Sequence, residues 1–320
     1  MTTRPPRPLG RSGISVPTLC FGGNIFGWTV DEPTSFTLLD TLVARGFTFI
    51  DTADVYSKWV PGHAGGESET ILGKWMKSRG NRQQIILATK CGMELAPDKK
   101  GLSKKYILQA IDASLARLQT DYVDLYQAHK DDPAVPLEET MEVFDQVVKA
   151  GKARAVGASN YSGERLAAAL AVSERLGIAR FECLQPHYNL AERADFEKNL
   201  QSVCARHQIG VIPYFSLASG FLTGKYRSEA DLAKSPRGKS AQKYLNPRGL
   251  RILAALDNVS TALRATPAQV ALAWLIANPI ISAPIASATS VQQLEDLVAA
   301  TRLNLAPEHI AELSAASAGD

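Results

Sequence analysis

Short apolar runs alternate with longer amphipathic stretches along nearly the whole chain, and this alternation restricts the fold more than any other feature. Candidate strands are Thr18–Phe21, Thr48–Asp51, Ile85–Thr89, Val123–Gln127, Ala153–Ala158, Cys183–Pro186, Gly210–Pro213 and Ala283–Ala286. Their richness in Ile, Val, Leu and Cys fits strands covered on both faces. Helical spacing of apolar residues runs through Ser35–Arg45, Ser68–Ser78, Lys104–Leu118, Leu137–Ala150, Gly163–Leu176 and Phe196–Arg206. Gly46, Gly80, Gly151 and Gly177 each follow such a run, as helix stops do. Strand–helix units in this number predict the α/β class and a parallel (β/α)8 TIM barrel, since an open doubly wound sheet usually has fewer strands. Three pieces fall outside the repeat. Leu9–Pro17 reads as an N-terminal β-hairpin capping the barrel floor, Ser216–Arg248 as a long loop over the mouth, and Pro307–Ser317 as an extra C-terminal helix. No linker or low-complexity segment interrupts the chain, so a single domain over residues 1–320 is expected.

Composition narrows the function classes. Of 320 residues, 45% are hydrophobic and 21% charged, enough to bury a large core. The net charge of +3 is small and dispersed, which gives no reason to expect nucleic acid or an anionic membrane as partner. No apolar run has the length of a membrane span. The segment Met1–Leu9 is rich in proline and arginine and has no apolar core of a secretory signal, so a cytoplasmic location is the expectation. Cys20, Cys91, Cys183 and Cys204 form no CxxC pair and read as buried free thiols of a reducing compartment. With five histidines and no His-x-His at a strand end, no metal site is expected.

In a barrel of this kind the active site is built at the C-terminal ends of the strands. Polar residues gather there: Asp51 with Tyr56 after the second strand, Lys90 after the third, His129 after the fourth, Ser159 and Asn160 after the fifth, and Gln185 after the sixth. Taken singly, each has a plain structural reading: a turn aspartate, a packing tyrosine, a solvated lysine, a satisfied histidine. Together they make one chemical unit. A free tyrosine titrates near about 10, too high for efficient acid–base work at neutral pH. A lysine cation beside the phenol favours phenolate and is expected to lower that pKa. An aspartate holds the lysine charged, and a histidine opposite can hydrogen-bond a substrate oxygen.

These residues lie in motifs that resemble the aldo-keto reductase family. The stretch Ile50-Asp51-Thr52-Ala53-Asp54-Val55-Tyr56 resembles its signature. Gly66-Glu67-Ser68-Glu69 before Leu72-Gly73 fits as well, as do Ala88-Thr89-Lys90, Asp124-Leu125-Tyr126-Gln127-Ala128-His129 and Val156-Gly157-Ala158-Ser159-Asn160. Gln185-Pro186-His187-Tyr188-Asn189-Leu190 and Leu222-Thr223-Gly224-Lys225-Tyr226 follow in the family's order. The resemblance runs from about Leu9 to Leu313 and is to the bacterial-type branch related to potassium-channel β subunits.

The resemblance implies reduction of aldehydes or ketones by hydride from NADPH, with NADH possible, and a tetrad of Asp51, Tyr56, Lys90 and His129 in which Tyr56 is the general acid. It implies cofactor contacts from Gly23 and Asn24, from Asp51, and from Ser159, Asn160 and Gln185 at the carboxamide. Tyr214 would stack on the nicotinamide. Phe215, Leu217, Ser219, Gly220 and Lys225 would cover the pyrophosphate, and Ser287, Thr289, Gln293 and Asp296 would hold the adenosine end. Two positions depart from the family pattern. Phe215-Ser216-Leu217 stands in place of the usual Ser-Pro-Leu, and Thr289 stands where many relatives have Arg or Lys. A guanidinium there would grip a 2′-phosphate bidentately. Arg237 or Lys239 could supply that charge, or could be solvated loop residues. Trp28 and Trp59, with Phe26 and Val55, could line an apolar substrate pocket beside Tyr56 and His129, or could pack under the long loop. The expected partner is a small-molecule carbonyl compound. The alternative reading is a non-catalytic NADP(H)-binding redox sensor or auxiliary subunit of the same fold. A metal hydrolase lacks its ligands here, and a phosphate-binding isomerase lacks a glycine-rich loop after the last strand.

Overall fold

The computed structural model describes residues 4–319, so Met1, Thr2 and Thr3 of the Met1–Leu9 segment, and Asp320, lie outside the described residues. Two short strands, β1 (Arg7–Pro8) and β2 (Ser15–Val16), pair antiparallel as a hairpin. Eight strands then follow: β3 (Cys20–Gly22), β4 (Phe49–Asp51), β5 (Ile86–Cys91), β6 (Val123–Ala128), β7 (Ala153–Ser159), β8 (Phe181–Gln185), β9 (Gly210–Val211) and β10 (Ile285–Ala286). All are parallel, in the order β10-β3-β4-β5-β6-β7-β8-β9. The sheet closes on itself where Val211 bridges Ile281 and the Ile285 N–H donates to the Pro213 carbonyl at 2.9 Å. This is the expected (β/α)8 barrel.

The last two strands are shorter than the expected Gly210–Pro213 and Ala283–Ala286. Pro213 and Pro284 have no N–H to give to the ladder, so regular pairing stops at them.

Helices α1 (Glu32–Ala44), α2 (Glu67–Arg79), α3 (Lys104–Leu118), α4 (Leu137–Lys149) and α5 (Gly163–Leu176) follow the first five barrel strands. Their limits come from local chemistry. Asp31 caps α1 by accepting the Thr34 N–H, and Ser103 and Ser162 cap α3 and α5 in the same way. Gly80 and Gly177 end α2 and α5 in the left-handed region that glycine enters freely. The expected helix Phe196–Arg206 is a π turn over Phe196–Leu200 leading into α6 (Gln201–His207). The segment 216–248 is not an open loop throughout. It carries short 3-10 turns and one turn of helix, α7 (Gly238–Ala241), and its last two residues already belong to α8 (Pro247–Leu263). After it come α9 (Pro267–Ala277), α10 (Val291–Ala300) and α11 (Pro307–Ala316).

Side chains alternate between the inside of the barrel and its helical jacket. An inner layer of Cys20, Phe49, Ala88, Leu125, Ala155 and Cys183 packs together with Leu9, Ile14 and Val16 of the hairpin, all buried. The hairpin therefore plugs the barrel floor. Two residues further along β3, β4, β5, β6, β7 and β8, the same inward phase brings Gly22, Asp51, Lys90, Gln127, Gly157 and Gln185 to the opposite end. The period of two thus converts an apolar layer into a polar one at the mouth. All four cysteines are buried and free, and burial pushes their thiols up.

Leu9 is fully buried in the inner layer, so Leu9→Ala opens a cavity at the barrel floor. The expected loss is about 2–5 kcal/mol, read by urea unfolding. A loss within about 0.5 kcal/mol, the range of surface substitutions, would show that the plug contributes nothing.

Candidate active site

The mouth is organised around one ammonium. Lys90, at the end of β5, is fully buried, and its Nζ donates three hydrogen bonds: to Asp51 Oδ2 at 2.6 Å, to the Thr52 carbonyl at 2.7 Å and to the Tyr56 phenol oxygen at 2.8 Å. Three donors meet three acceptors, which is what a buried ammonium requires. Burial alone pulls the Lys90 pKa down, but Asp51 and Tyr56 outweigh it and the ammonium is held above its ordinary value. Asp51 is oriented on its other side. Its Oδ1 accepts from Gln185 Nε2 at 2.9 Å and from Gln127 Nε2 at 3.3 Å. Gln127 received no role from sequence, although the inward period of β6 points it at Asp51.

Tyr56 reaches Lys90 from a turn whose backbone is tied to the neighbouring strand. The Thr52 N–H donates to the Ala88 carbonyl, the Asp54 N–H to the Lys90 carbonyl and the Tyr56 N–H to the Ala53 carbonyl. The sequence predicted a lowered tyrosine pKa, and the structure corrects this. Burial pushes the Tyr56 phenol up to about 12; Lys90 opposes the rise without reversing it. Withdrawing the phenolate from water costs more than one shared ammonium returns.

His129 lies across the mouth, its ring centroid 6.0 Å from that of Tyr56. Burial, reinforced by the Lys90 charge, holds its pKa well below the ordinary value, so the ring is neutral. Its Nδ1 is buried without a partner.

The remaining expected residues fall into three groups. Ser159, Asn160, Gln185 and Tyr214 are linked to one another and to the tetrad. Ser159 Oγ donates to the Gln185 carbonyl at 2.9 Å, Asn160 Nδ2 to the His129 carbonyl at 2.9 Å, and the Tyr214 hydroxyl to Asn160 Oδ1 at 2.8 Å. The Tyr214 ring lies 5.2 Å from, and nearly parallel to, the His187 ring. A second group is the segment after β9. Phe215 and Ser219 have positive φ, as has Gly220, and a side chain on Gly220 would meet Lys225 Cε at 3.0 Å. Phe215 is 45% exposed.

The third group lies across β3 and β10. Ser287 Oγ donates to the Gly22 carbonyl at 2.7 Å and meets Asn24 Oδ1 at 2.9 Å. A side chain on Gly22 would strike Ser287 Oγ at 2.7 Å, and one on Gly23 would meet Ser68 Oγ at 3.0 Å. Gln293 Oε1 accepts from the Thr289 N–H at 2.9 Å, while Asp296 is held by Gln269 Nε2 of α9 at 3.0 Å.

Arg237 is separate from all three. It lies over the Trp28 ring at 5.2 Å and is drawn down from its ordinary pKa by burial. Its Nη2 is buried without a partner. Trp28 meets Trp59 edge-on at 5.5 Å, and Trp59, 48% exposed, meets Tyr56 at 6.1 Å. Trp28 and Thr289 also line one open cavity of about 780 Å³.

The profile of the Aldo/keto reductase family matches residues 18–318. The chain belongs to the aldo/keto reductase family. That membership marks it as an oxidoreductase in class. An "Uncharacterized oxidoreductase YrpG" of Bacillus subtilis is 34% identical over 94% of this chain and 92% of its own. "Aldo-keto reductase YhdN" of the same organism is 35% identical over 89% of this chain and 84% of its own. A "Probable voltage-gated potassium channel subunit beta" of Arabidopsis thaliana is 34% identical over 90% of this chain and 88% of its own. Among the described residues no helix is long and apolar enough to cross a membrane, and no group of His, Cys, Asp and Glu could hold a metal ion.

The neutral state of His129 is testable. A histidine held neutral when folded gains a proton on unfolding below about 6.5, so stability is lost as pH falls through that value. His129→Gln is expected to remove that part of the slope between pH about 7 and 5, read by thermal unfolding across pH. An identical slope in the variant would show that His129 titrates normally.

Proposed function

We propose that this protein is a nicotinamide-dependent carbonyl reductase in which Tyr56 is the general acid. One observation carries the reading: the Lys90 ammonium touches both the Tyr56 phenol and Asp51 in a buried site at the barrel mouth. When bound, the nicotinamide cofactor supplies a hydride to the carbonyl carbon. The protein's part is to bring a proton to the oxygen. Tyr56 keeps its proton at neutral pH because burial pushes its phenol up to about 12, so it is always an available donor. As that proton leaves, Lys90 sits at 2.8 Å to stabilise the phenolate that forms. Asp51 keeps the lysine in place, and solvent later returns the proton to Tyr56. His129, neutral, can hold the substrate oxygen from the far side without competing as an acid. Trp28 and Trp59 give the carbonyl compound an apolar wall beside Tyr56.

The residues present suit an extended dinucleotide. Gly22 and Gly220 carry no side chain of their own, which lets Ser287 Oγ and the Lys225 side chain lie close against the backbone. Arg237 offers an unpartnered guanidinium nitrogen to an anion. Asn24, Ser159, Asn160, Gln185, Tyr214, Phe215, Leu217, Ser219, Ser287, Thr289, Gln293 and Asp296 would complete the cofactor's surroundings. With threonine at position 289, Arg237, which lies over the Trp28 ring, is the candidate for the 2′-phosphate of NADPH. A second reading, a cofactor-holding sensor without turnover, is favoured by the likeness to the Arabidopsis channel β subunit. Turnover separates the two.

Tyr56→Phe is expected to lower kcat by about 10²–10⁴ with a nitrobenzaldehyde and NADPH, while leaving cofactor affinity nearly intact. Nicotinamide absorbance gives the rate and fluorescence titration the affinity. Wild-type turnover in the variant would remove Tyr56 as the acid, and cofactor binding without wild-type turnover would favour the sensor. Arg237→Leu is expected to weaken NADPH more than NADH in the same titration. Equal weakening would take Arg237 off the 2′-phosphate.

A further inference from the structure

The turn that carries Tyr56 has a hidden side. Asp51 and Tyr56 face the mouth, whereas Thr52 and Asp54 point back toward α2 and α3. Thr52 Oγ1 is hydrogen-bonded to Ser68 Oγ at 2.8 Å. Asp54 is 1% exposed, and no part of the proposed reaction uses it. Its Oδ2 accepts a long bond from the Tyr106 hydroxyl at 3.5 Å, the adjacent Val55 N–H lends its carboxylate some support, and its Oδ1 is buried with no partner.

The groups facing Asp54 explain why it cannot carry a charge cheaply. From α2 comes Glu69, from α3 Tyr106 and Arg117, from β5 Lys90 and Cys91, and from β6 Tyr126. Two of these are cations, and each is engaged elsewhere. Arg117 Nε pairs with Glu69 Oε2 at 2.7 Å and its Nη2 donates to Ser114 Oγ at 3.2 Å. Lys90 is spent on Asp51, Thr52 and Tyr56. The remaining Glu69 oxygen accepts from Thr89 Oγ1 at 2.5 Å, so this second carboxylate is satisfied and repels a charge on Asp54. A buried carboxylate with no cation of its own, and with only the Val55 N–H and a long bond from Tyr106 as donors, costs several kcal/mol, and the group keeps its proton instead. Burial, with Glu69 second, pushes the Asp54 carboxyl up to about 8.

Asp54 is also mechanically coupled to the tetrad. Its N–H donates to the Lys90 carbonyl at 3.2 Å, and it stands two residues before Tyr56. A side chain that must move toward water has to turn this backbone, and Tyr56 rides on it.

We propose that Asp54 is a positioning residue for Tyr56: as a neutral acid it lets the Asp51–Tyr56 turn lie against α2 and α3, and on losing its proton it shifts the turn and takes the Tyr56 phenol out of contact with Lys90. This rests on the proposed role of Tyr56 and Lys90. It adds an alkaline limb well below the ionisation of Tyr56 itself.

The experiment compares wild type, Asp54→Asn and Glu69→Gln in two readouts. One is the pH profile of kcat/KM. The other is the ¹³Cζ resonance of Tyr56 in tyrosine-labelled protein, assigned by its absence in Tyr56→Phe. A single group with a pKa of about 8 gives a wild-type fall of about tenfold in kcat/KM between pH about 7 and 9. The Tyr56 resonance should move with the same midpoint. Asn is neutral at every pH, so Asp54→Asn should flatten both curves over this range. Glu69→Gln removes the repelling charge and should move both midpoints to lower pH. It also serves if Asp54→Asn does not fold. An inflection retained in Asp54→Asn, or a midpoint unmoved in Glu69→Gln, would overturn the proposal. If the wild type shows no turnover, the proposed reaction fails by itself, and the Tyr56 resonance still decides. An inflection lost in Asp54→Asn supports the positioning role, and the absence of any wild-type inflection overturns it.

Discussion

The buried ion pair between Lys90 and Asp51 is the constraint to which the rest of the mouth conforms. Two charges withdrawn from water are tolerable only if every remaining donor and acceptor finds a partner. The Thr52 carbonyl and the Tyr56 phenol take the other protons of Lys90, and Gln127 and Gln185 serve the second oxygen of Asp51. One pair, from β4 and β5, thus draws in residues from β6 and β8 and the turn beyond β4. No open sheet edge or single helix could supply donors from so many directions. A closed barrel does so because the inward phase of successive strands converges on one axis.

The same closure explains the chemistry. A phenol in water is a weak acid whose conjugate base is well solvated. Here burial suppresses the phenolate at rest, while the one adjacent cation becomes more effective in a medium of low dielectric. The expectation that lysine lowers the tyrosine pKa considered the cation without the burial that comes with it. In the proposed reaction the site would keep the proton on Tyr56 until charge develops on a substrate oxygen. His129 follows the same rule with the opposite sign: burial removes its charge, which leaves a neutral ring opposite Tyr56.

Much of this was legible from residues alone, for a physical reason. The eight strands announced themselves because a strand covered on both faces must be apolar throughout. Asp51, Tyr56, Lys90 and His129 stand out in the sequence because ionisable residues at the ends of such strands are costly without a use. What was not legible depends on pairing in three dimensions. Gln185 reads from sequence as a carboxamide contact, and only the structure shows its amide already donating to Asp51. The helix α9 is apolar nearly all round and buried over Val270–Ile276, so it lacks the one-sided stripe that marks a surface helix. β9 and β10 are shorter than their apolar runs because Pro213 and Pro284 have no N–H to give to the ladder, which apolar content does not reveal.

Asp54 is the sharpest case of that limit. In the sequence it is one more acid in a motif, indistinguishable in type from Asp51. Only Thr52 and Ala53 separate them, yet one turns inward to an ammonium and the other outward into a pocket whose cations are already engaged. An acid is charged or neutral according to what faces it, and alternation along a strand end decides what that is. The turn from Asp51 to Tyr56 therefore holds two carboxyls in opposite electrostatic settings. The charged one fixes Lys90 from the front, and the neutral one lets the backbone between them pack from behind. A charge at position 54 would have to be solvated at the expense of that packing, so on the role proposed for Asp54 the geometry of Tyr56 would depend on a proton that never enters the proposed reaction.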